Sequence, residues 1–555
     1  MKSILLTLVS LLFAATAHAQ WQSTTYTLKG GWNSIYLYGD ASYTSLDELF
    51  AAYPQVLEVW RWNPNPTQVQ FTSSPLVPSA GTPEWSTWRR SGSGNTLTQL
   101  ISGTYLVKCE GERADVYSVS IKHSPRLPVS SWVRNGANLF GFPSFANGDG
   151  YPSMGSYFAT FPAAIASNTK IYKYVGGELG PGNPVQIFSP SSEKLDRTQG
   201  YWFSAGVVGD FTAPVNISIS NSSGLDFGRT GSEVTVRLRN LSQSAVNITF
   251  TPVASETSPG FQAAIAGPVP LTRRSFNTET LQFENTPIAE AFTEVLPPLA
   301  SVSLVFGVDR SAMSGAAVDA YFASLLRVTD SGNLFDIYLP VSASMPSLAG
   351  LWVGDARINA VDSMISGTGS TTTRAFTLRT LLHVADSGSA TLLSKVFLGQ
   401  LAAEPNEFGV CVDESLLKQD ALESAQRLVA AHLPLNRVVS GSASVALPAT
   451  VVFTVTTPFN DLSNPFVHQY HPDHDNKDAR FQPVGAGVES YDITRTCVFE
   501  FTAAPPEGST VTNAWGATVI GGNYRETISG VHKNDIHVSG TFELRRASET
   551  GVLTR

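Results

Sequence analysis

Between Asn464 and Asp478 the chain reads Asn-Pro-Phe-Val-His-Gln-Tyr-His-Pro-Asp-His-Asp-Asn-Lys-Asp, its densest run of metal-ligating side chains. His468, His471 and His474 recur every third residue with Asp473 and Asp475 interleaved, so imidazoles and carboxylates can converge on one cation. Two histidines with one or two carboxylates would suit zinc, and carboxylates with backbone carbonyls would suit calcium. A competing reading needs no metal: Asp and Asn side chains close Asx turns on nearby N–H groups while the imidazoles pack on Tyr470 or Phe466. Pro465 and Pro472 exclude a regular helix here, and with it the His-Glu-x-x-His geometry of a metalloprotease. An EF-hand loop fails too, because Lys477 stands at the third ligand position and no Gly follows. His383, His532 and His537 are the candidate remote partners for a site built on this segment.

The second group of residues with binding chemistry is aromatic. Eight of the ten tryptophans fall in the first 202 residues. Trp32, Trp60 and Trp202 sit in apolar strand patterns and are expected in small cores. Trp85 and Trp88 lie in a Pro/Ser/Gly-rich stretch beside Arg89-Arg90, which marks them as the candidate surface contact, with rings able to stack on an extracellular polysaccharide. No nucleophile elbow, phosphate-binding loop or dinucleotide fingerprint is present. The acidic pairs Asp47-Glu48 and Asp413-Glu414 stand where helices are expected to start, and the helix dipole accounts for them. An enzyme is therefore not the leading expectation.

Residues 1–19 carry Lys2, an apolar run from Ile4 to Ala15 and Ala17-His18-Ala19 before Gln20, the layout of a cleaved secretory signal peptide. No later stretch reaches the roughly 20 apolar residues of a transmembrane helix, so a secreted protein of the periplasm, cell surface or exterior is expected. The net charge of −9 comes without a basic patch, which excludes a nucleic-acid footprint and leaves polysaccharide or other surface proteins as partners. Three cysteines, Cys109, Cys411 and Cys497, allow one disulfide at most and no disulfide scaffold. Charged residues are only 15% of the chain, while Gly (45) and Pro (33) are plentiful, a balance suited to β-rich domains with many turns.

Those elements fall into four parts. Residues 20–121 and 122–208 read as two α+β repeats: Gly31-Trp32-Asn33 and Gly136-Ala137-Asn138 each open an apolar run. A short helix follows in each (Ser45 to Tyr53; Met154 to Ile165), then an aromatic strand, then a glycine before a last strand. Residues 209–346 carry strands without helices, punctuated by turn residues, as in an immunoglobulin-like β-sandwich. Residues 347–555 alternate strictly in Phe376, Leu378, Thr380, Leu382, Val384 and in Ile493, Arg495, Cys497, Phe499, Phe501. A helix from Asp413 to His432 is expected to interrupt these strands. Long antiparallel strands need their edges protected, and closure into a barrel does so. The fold class is mainly β and multidomain: two small α+β repeats, a sandwich, and a C-terminal antiparallel β-barrel-like domain with one inserted helix.

Taken whole, the chain resembles uncharacterised multidomain secreted proteins of environmental bacteria. The resemblance is carried by Gly30-Gly31-Trp32-Asn33, Leu348 to Gly354, Asn464 to Asn476 and Ser539 to Arg546. It implies architecture and export and carries over no catalytic residue. A second resemblance, to lipocalin-like barrels, rests on Gly350-Leu351-Trp352 opening the last domain and on Arg545 or Arg546 near its end; it implies a basic residue of the last strand packed over the tryptophan. The expected function is thus a non-enzymatic binding or structural module. The alternative is a metal-dependent hydrolase or small-ligand-binding barrel using residues 464–478.

Overall fold

A computed structural model describes residues 20–63, 84–134, 136–146, 148, 150–221, 224–361, 371–404, 406–430, 437–458, 461–464, 492–507, 509, 512–531 and 535–555. The chain is mainly β, with 52% of residues in strands. It forms two compact units. One comprises Met1–Gly228, Glu233–Val308 and Ala320–Ser344, the other Arg229–Ser232, Asp309–Asp319 and Met345–Arg555. No helix among the described residues is long and apolar enough to cross a membrane.

The first unit opens with the module predicted over residues 20–121. Strand Gln22–Lys29 alternates, turning Tyr26 and Leu28 inward, and pairs antiparallel with Val116–Pro125. A second sheet runs Gly31–Leu37, Gly103–Cys109, Val56–Trp62, Trp85–Arg89 across space, all antiparallel. The helix Leu46–Leu49 adds Leu46 to the core that the two sheets share, and it is started by a capping box in which Ser45 and Glu48 satisfy each other's backbone N–H. It is shorter than expected because the chain leaves the helix at Phe50 and Pro54 follows.

The next module lays its strands in the same order: Asn138–Phe140, Tyr201–Ser204, Lys170–Lys173, Val185–Gln186. Its helix, Met154–Tyr157, is likewise capped by a serine, Ser153, and Pro162 opens a separate 3-10 turn, Pro162–Ile165, where one continuous helix was expected. Two polar details recur. Asn33 accepts the Lys29 N–H at 2.9 Å and donates to the Lys29 and Gly31 carbonyls, while Asn138 accepts the Val133 N–H at 2.7 Å and donates to the Val133 and Gly136 carbonyls. Tyr105 and Tyr201 each accept an upstream backbone N–H at 3.0 Å on the phenol oxygen. The remaining faces of the two sheets pack together through Trp32, Trp60, Trp62, Trp85, Leu139 and Trp202.

Residues 209–344 complete this unit as a two-sheet sandwich. One sheet has the order Val215–Ile219, Glu233–Asn240, Ser301–Val308, Leu271–Asn277, Gln282–Pro287. The other runs Leu225–Asp226, Asp336–Ser344, Tyr321–Asp330, Val246–Ala254, Phe292–Leu296, and the core between them includes Val236, Leu238, Phe250 and Phe306. A buried charge cluster ties the modules. Asp336 receives Arg197 at 2.8 Å from the second module and Arg327 at 2.8 and 3.0 Å from its own sheet, and the Arg197 guanidinium lies 4.5 Å from the Tyr38 ring of the first module.

In the second unit eight strands form one meander in chain order: Gly350–Val361, Thr371–Val384, Ser389–Leu393, Val438–Ser444, Ala449–Thr457, Ile493–Phe501, Val519–Ser529 and Ile536–Ser548. The eighth pairs back onto the first, so the sheet curls into a nearly closed barrel. At the remaining seam the Val452 N–H donates to Ser442 Oγ at 3.0 Å. Alternation fills the interior with Trp352, Ile358, Leu382, Phe453, Phe499, Phe501, Phe542 and Leu544. A small sheet, Gln426–Val429, Lys395–Gln400, Phe408–Cys411 and Leu553–Thr554, covers the outward-facing Leu351, Leu381 and Leu393. The helix expected from Asp413 to His432 does not form over its described part. Two 3-10 turns, Glu414–Leu416 and Gln419–Ser424, lead into strand Gln426–Val429, whose backbone groups pair with Lys395–Gln400 and whose half-buried Leu428 packs against the barrel. Tertiary strand pairing outweighs helix propensity there.

Candidate functional site at the end of the barrel

The site is built where the first and last barrel strands meet. Their backbones approach so closely that a Cβ on Gly350 would stand 2.1 Å from the Ser548 carbonyl oxygen and one on Gly354 1.9 Å from that of Glu543, so both positions require glycine. Gly350 also has φ +131. Trp352, two residues on, points into the barrel and is fully buried, and its indole N–H donates to the Leu348 carbonyl at 2.9 Å. Opposite it in the register stands Arg546, whose guanidinium carbon is 4.6 Å from the ring centre. Nη2 of Arg546 donates to the Ser347 carbonyl. The Trp352–Arg546 pair thereby fixes residues 347 and 348, which run across the end of the barrel.

Beyond that segment lies a hollow of about 660 Å³. Met345, Leu348, Val384, Val445, Leu447 and Pro448 give it apolar walls, and Ser314, Ser347, Asp386, Ser387 and Ser444 are the polar members of its lining. Volume and lining fall in the ordinary range of small-molecule sites.

A second polar feature lies inside the barrel, toward its other end. Cys497, Glu526 and Val538 are register partners, and two positions to either side, on the same face, stand Arg495 with Ile528 and Phe499 with Tyr524. Glu526 accepts from Arg495 Nε and, at 2.8 Å, from the Tyr524 hydroxyl. Burial pushes the Cys497 thiol up to about 11 and raises Tyr524 as well, so neither is an anion at neutral pH and neither is an activated nucleophile. The cluster is a satisfied buried ion pair. Arg495 was visible as a charge at an inward position of an alternating strand, which demands a partner; that the partner is Glu526 could not be read from spacing.

Of the residues singled out from sequence, Trp85 and Trp88 require correction. Neither is on the surface: they are 5% and 2% exposed. Trp85 packs edge-on against Trp60, Trp62 and Trp202, and Trp88 packs on Phe50 while its indole donates to Asp47 at 2.8 Å. Their strand pairs with Val56–Trp62 and so turns both rings into cores. His468, His471, Asp473, His474 and Asp475 lie outside the described residues, as does His532. The strands on either side of that segment, Ala449–Thr457 and Ile493–Phe501, are antiparallel neighbours with Thr457 opposite Ile493. His383 is buried, with Nε2 3.0 Å from the Thr550 carbonyl, and His537 is exposed beside Thr527. Among the described residues no group of three or more His, Cys, Asp or Glu is placed to hold a metal ion. The three cysteines are free and buried. No protein-family model matches the chain, and no curated protein matches it.

Proposed function

We propose that the chain is a secreted, non-enzymatic, β-rich binding protein whose C-terminal barrel takes up a small apolar molecule at its Trp352 end. The observation that carries this reading is the largely apolar hollow of about 660 Å³, whose lining residues Ser347 and Leu348 have their carbonyls tied to Arg546 and Trp352. Lining groups already tied by hydrogen bonds reduce the ordering cost of binding. A ligand hiding roughly 300 Å² of apolar surface gains about 7 kcal/mol before association costs, which sets micromolar affinity as the upper limit. The signal-peptide layout supports export, and the shared strand order and asparagine clamps support two copies of one module at the N-terminus. The test is fluorescence of N-phenyl-1-naphthylamine with the full chain. Saturable enhancement with one probe per chain is expected, lost in a Leu447→Asp variant that keeps its β-rich circular dichroism. Equal enhancement by that variant would remove the hollow as the site.

A second reading, an adhesive protein for extracellular polysaccharide or other surface proteins, is favoured by the hairpin of Leu271–Asn277 and Gln282–Pro287. Phe276, Leu281 and Phe283 are 50%, 72% and 69% exposed on it, and clustered exposed apolar residues mark interaction surfaces. Sedimentation with insoluble polysaccharide, abolished by Phe283→Ser, is the result that would favour it.

A further inference from the structure

The walls of the hollow are apolar, but the charge behind its floor is not balanced. The Arg546 side chain is 6% exposed, and its nearest acid, Glu549, is 3.8 Å away and 65% exposed, where water screens it. Arg546 Nε, also buried, has no hydrogen-bond partner. A buried guanidinium so weakly compensated favours a negative group nearby. Its Nη2 is bonded to the carbonyl of Ser347, and Ser347 itself lines the hollow. Ser347 Oγ accepts the Ala349 N–H at 3.1 Å, so the hydroxyl hydrogen is free to donate into the hollow. Resting on the barrel-hollow reading above, we propose that the ligand is an amphipathic monoanion. It is a medium-chain carboxylate whose head accepts from the Ser347 hydroxyl near Arg546 and whose tail lies along Leu348, Val384 and Leu447.

A carboxylate acceptor makes a charge-assisted hydrogen bond about twice as strong as that of a neutral group, and the Arg546 field adds to it. An alcohol of the same length keeps the apolar burial without this gain, and an ammonium is repelled. Asp386, the acid in the lining, is exposed and therefore screened. Isothermal titration calorimetry of the full chain at pH 7.5 with dodecanoic acid, 1-dodecanol and dodecylamine separates these terms. Dodecanoate is expected to bind at least about tenfold more tightly than dodecanol, and the amine more weakly than either. Ser347→Ala should reduce the advantage of the acid several-fold, because dodecanoate loses a charge-assisted hydrogen bond and dodecanol only a weaker neutral one. Equal affinity of acid and alcohol would overturn the head-group assignment and leave the apolar hollow intact as a site. Failure of all three to bind would overturn the hollow reading together with this one.

Discussion

At the residue scale, the charged groups in the interior set the sharpest expectations. Glu526 is held by Arg495 and Tyr524 inside the barrel, so Glu526→Gln leaves a guanidinium without its counter-charge and should cost about 3–5 kcal/mol. Replacing the pair together, Arg495→Met with Glu526→Leu, should recover most of that loss in urea titrations. If the double variant were as unstable as the single one, the pair would contribute packing rather than charge balance. His123 gives a pH dependence. It is fully buried between Thr24 and Tyr38, with Nε2 2.8 Å from Thr24 Oγ1, and burial, reinforced by Arg197, lowers its pKa to about 3. The unfolded imidazole titrates near 6.5. Below that value the unfolded chain takes up a proton that the folded chain refuses, so stability falls as pH drops from about 6.5 toward 3, by roughly 1.4 kcal/mol per unit. His123→Gln should flatten that slope in the first unit, and an unchanged slope in the variant would assign the acid sensitivity to another group.

At the scale of elements, pairing decides what local sequence leaves open. The Gly-x-Asn openings were legible because the asparagine serves the local chain: Asn33 and Asn138 close the turns before their strands. The inward alternation of the barrel strands was equally legible, and it also resolves the choice between Arg545 and Arg546. With Phe542 and Leu544 inward, period two turns Arg546 in and Arg545 out. Trp85 and Trp88 were misread because Pro, Ser and Gly around them signal a loop, whereas a neighbouring strand distant in sequence captures them. The helix expected from Asp413 fails for the same reason, since its residues find a ladder on Lys395–Gln400. Contacts this far apart leave no periodic trace. The Asp336 cluster is another such case, and Asp336→Asn should destabilise the first unit by about 3–5 kcal/mol because two arginines lose their shared carboxylate. Thermal unfolding followed by calorimetry checks this: the transition of the first unit should move down while that of the barrel stays in place, and a common shift of both would contradict it.

At the scale of the whole molecule, one unit holds the two Asn-clamped modules and the sandwich, and the other holds the barrel with its strand meander, Trp352–Arg546 stack and hollow, where the proposed ligand would bind. A ligand there would cover four separate stretches of chain at once: 314–318, 345–349, 384–388 and 444–448. Hydrogen–deuterium exchange of the full chain with and without saturating dodecanoate therefore tests the account most directly. The account predicts added protection in peptides covering those four stretches and none in the Trp60–Trp202 core of the first unit. Protection confined to other segments, or no change at saturating ligand, would contradict it.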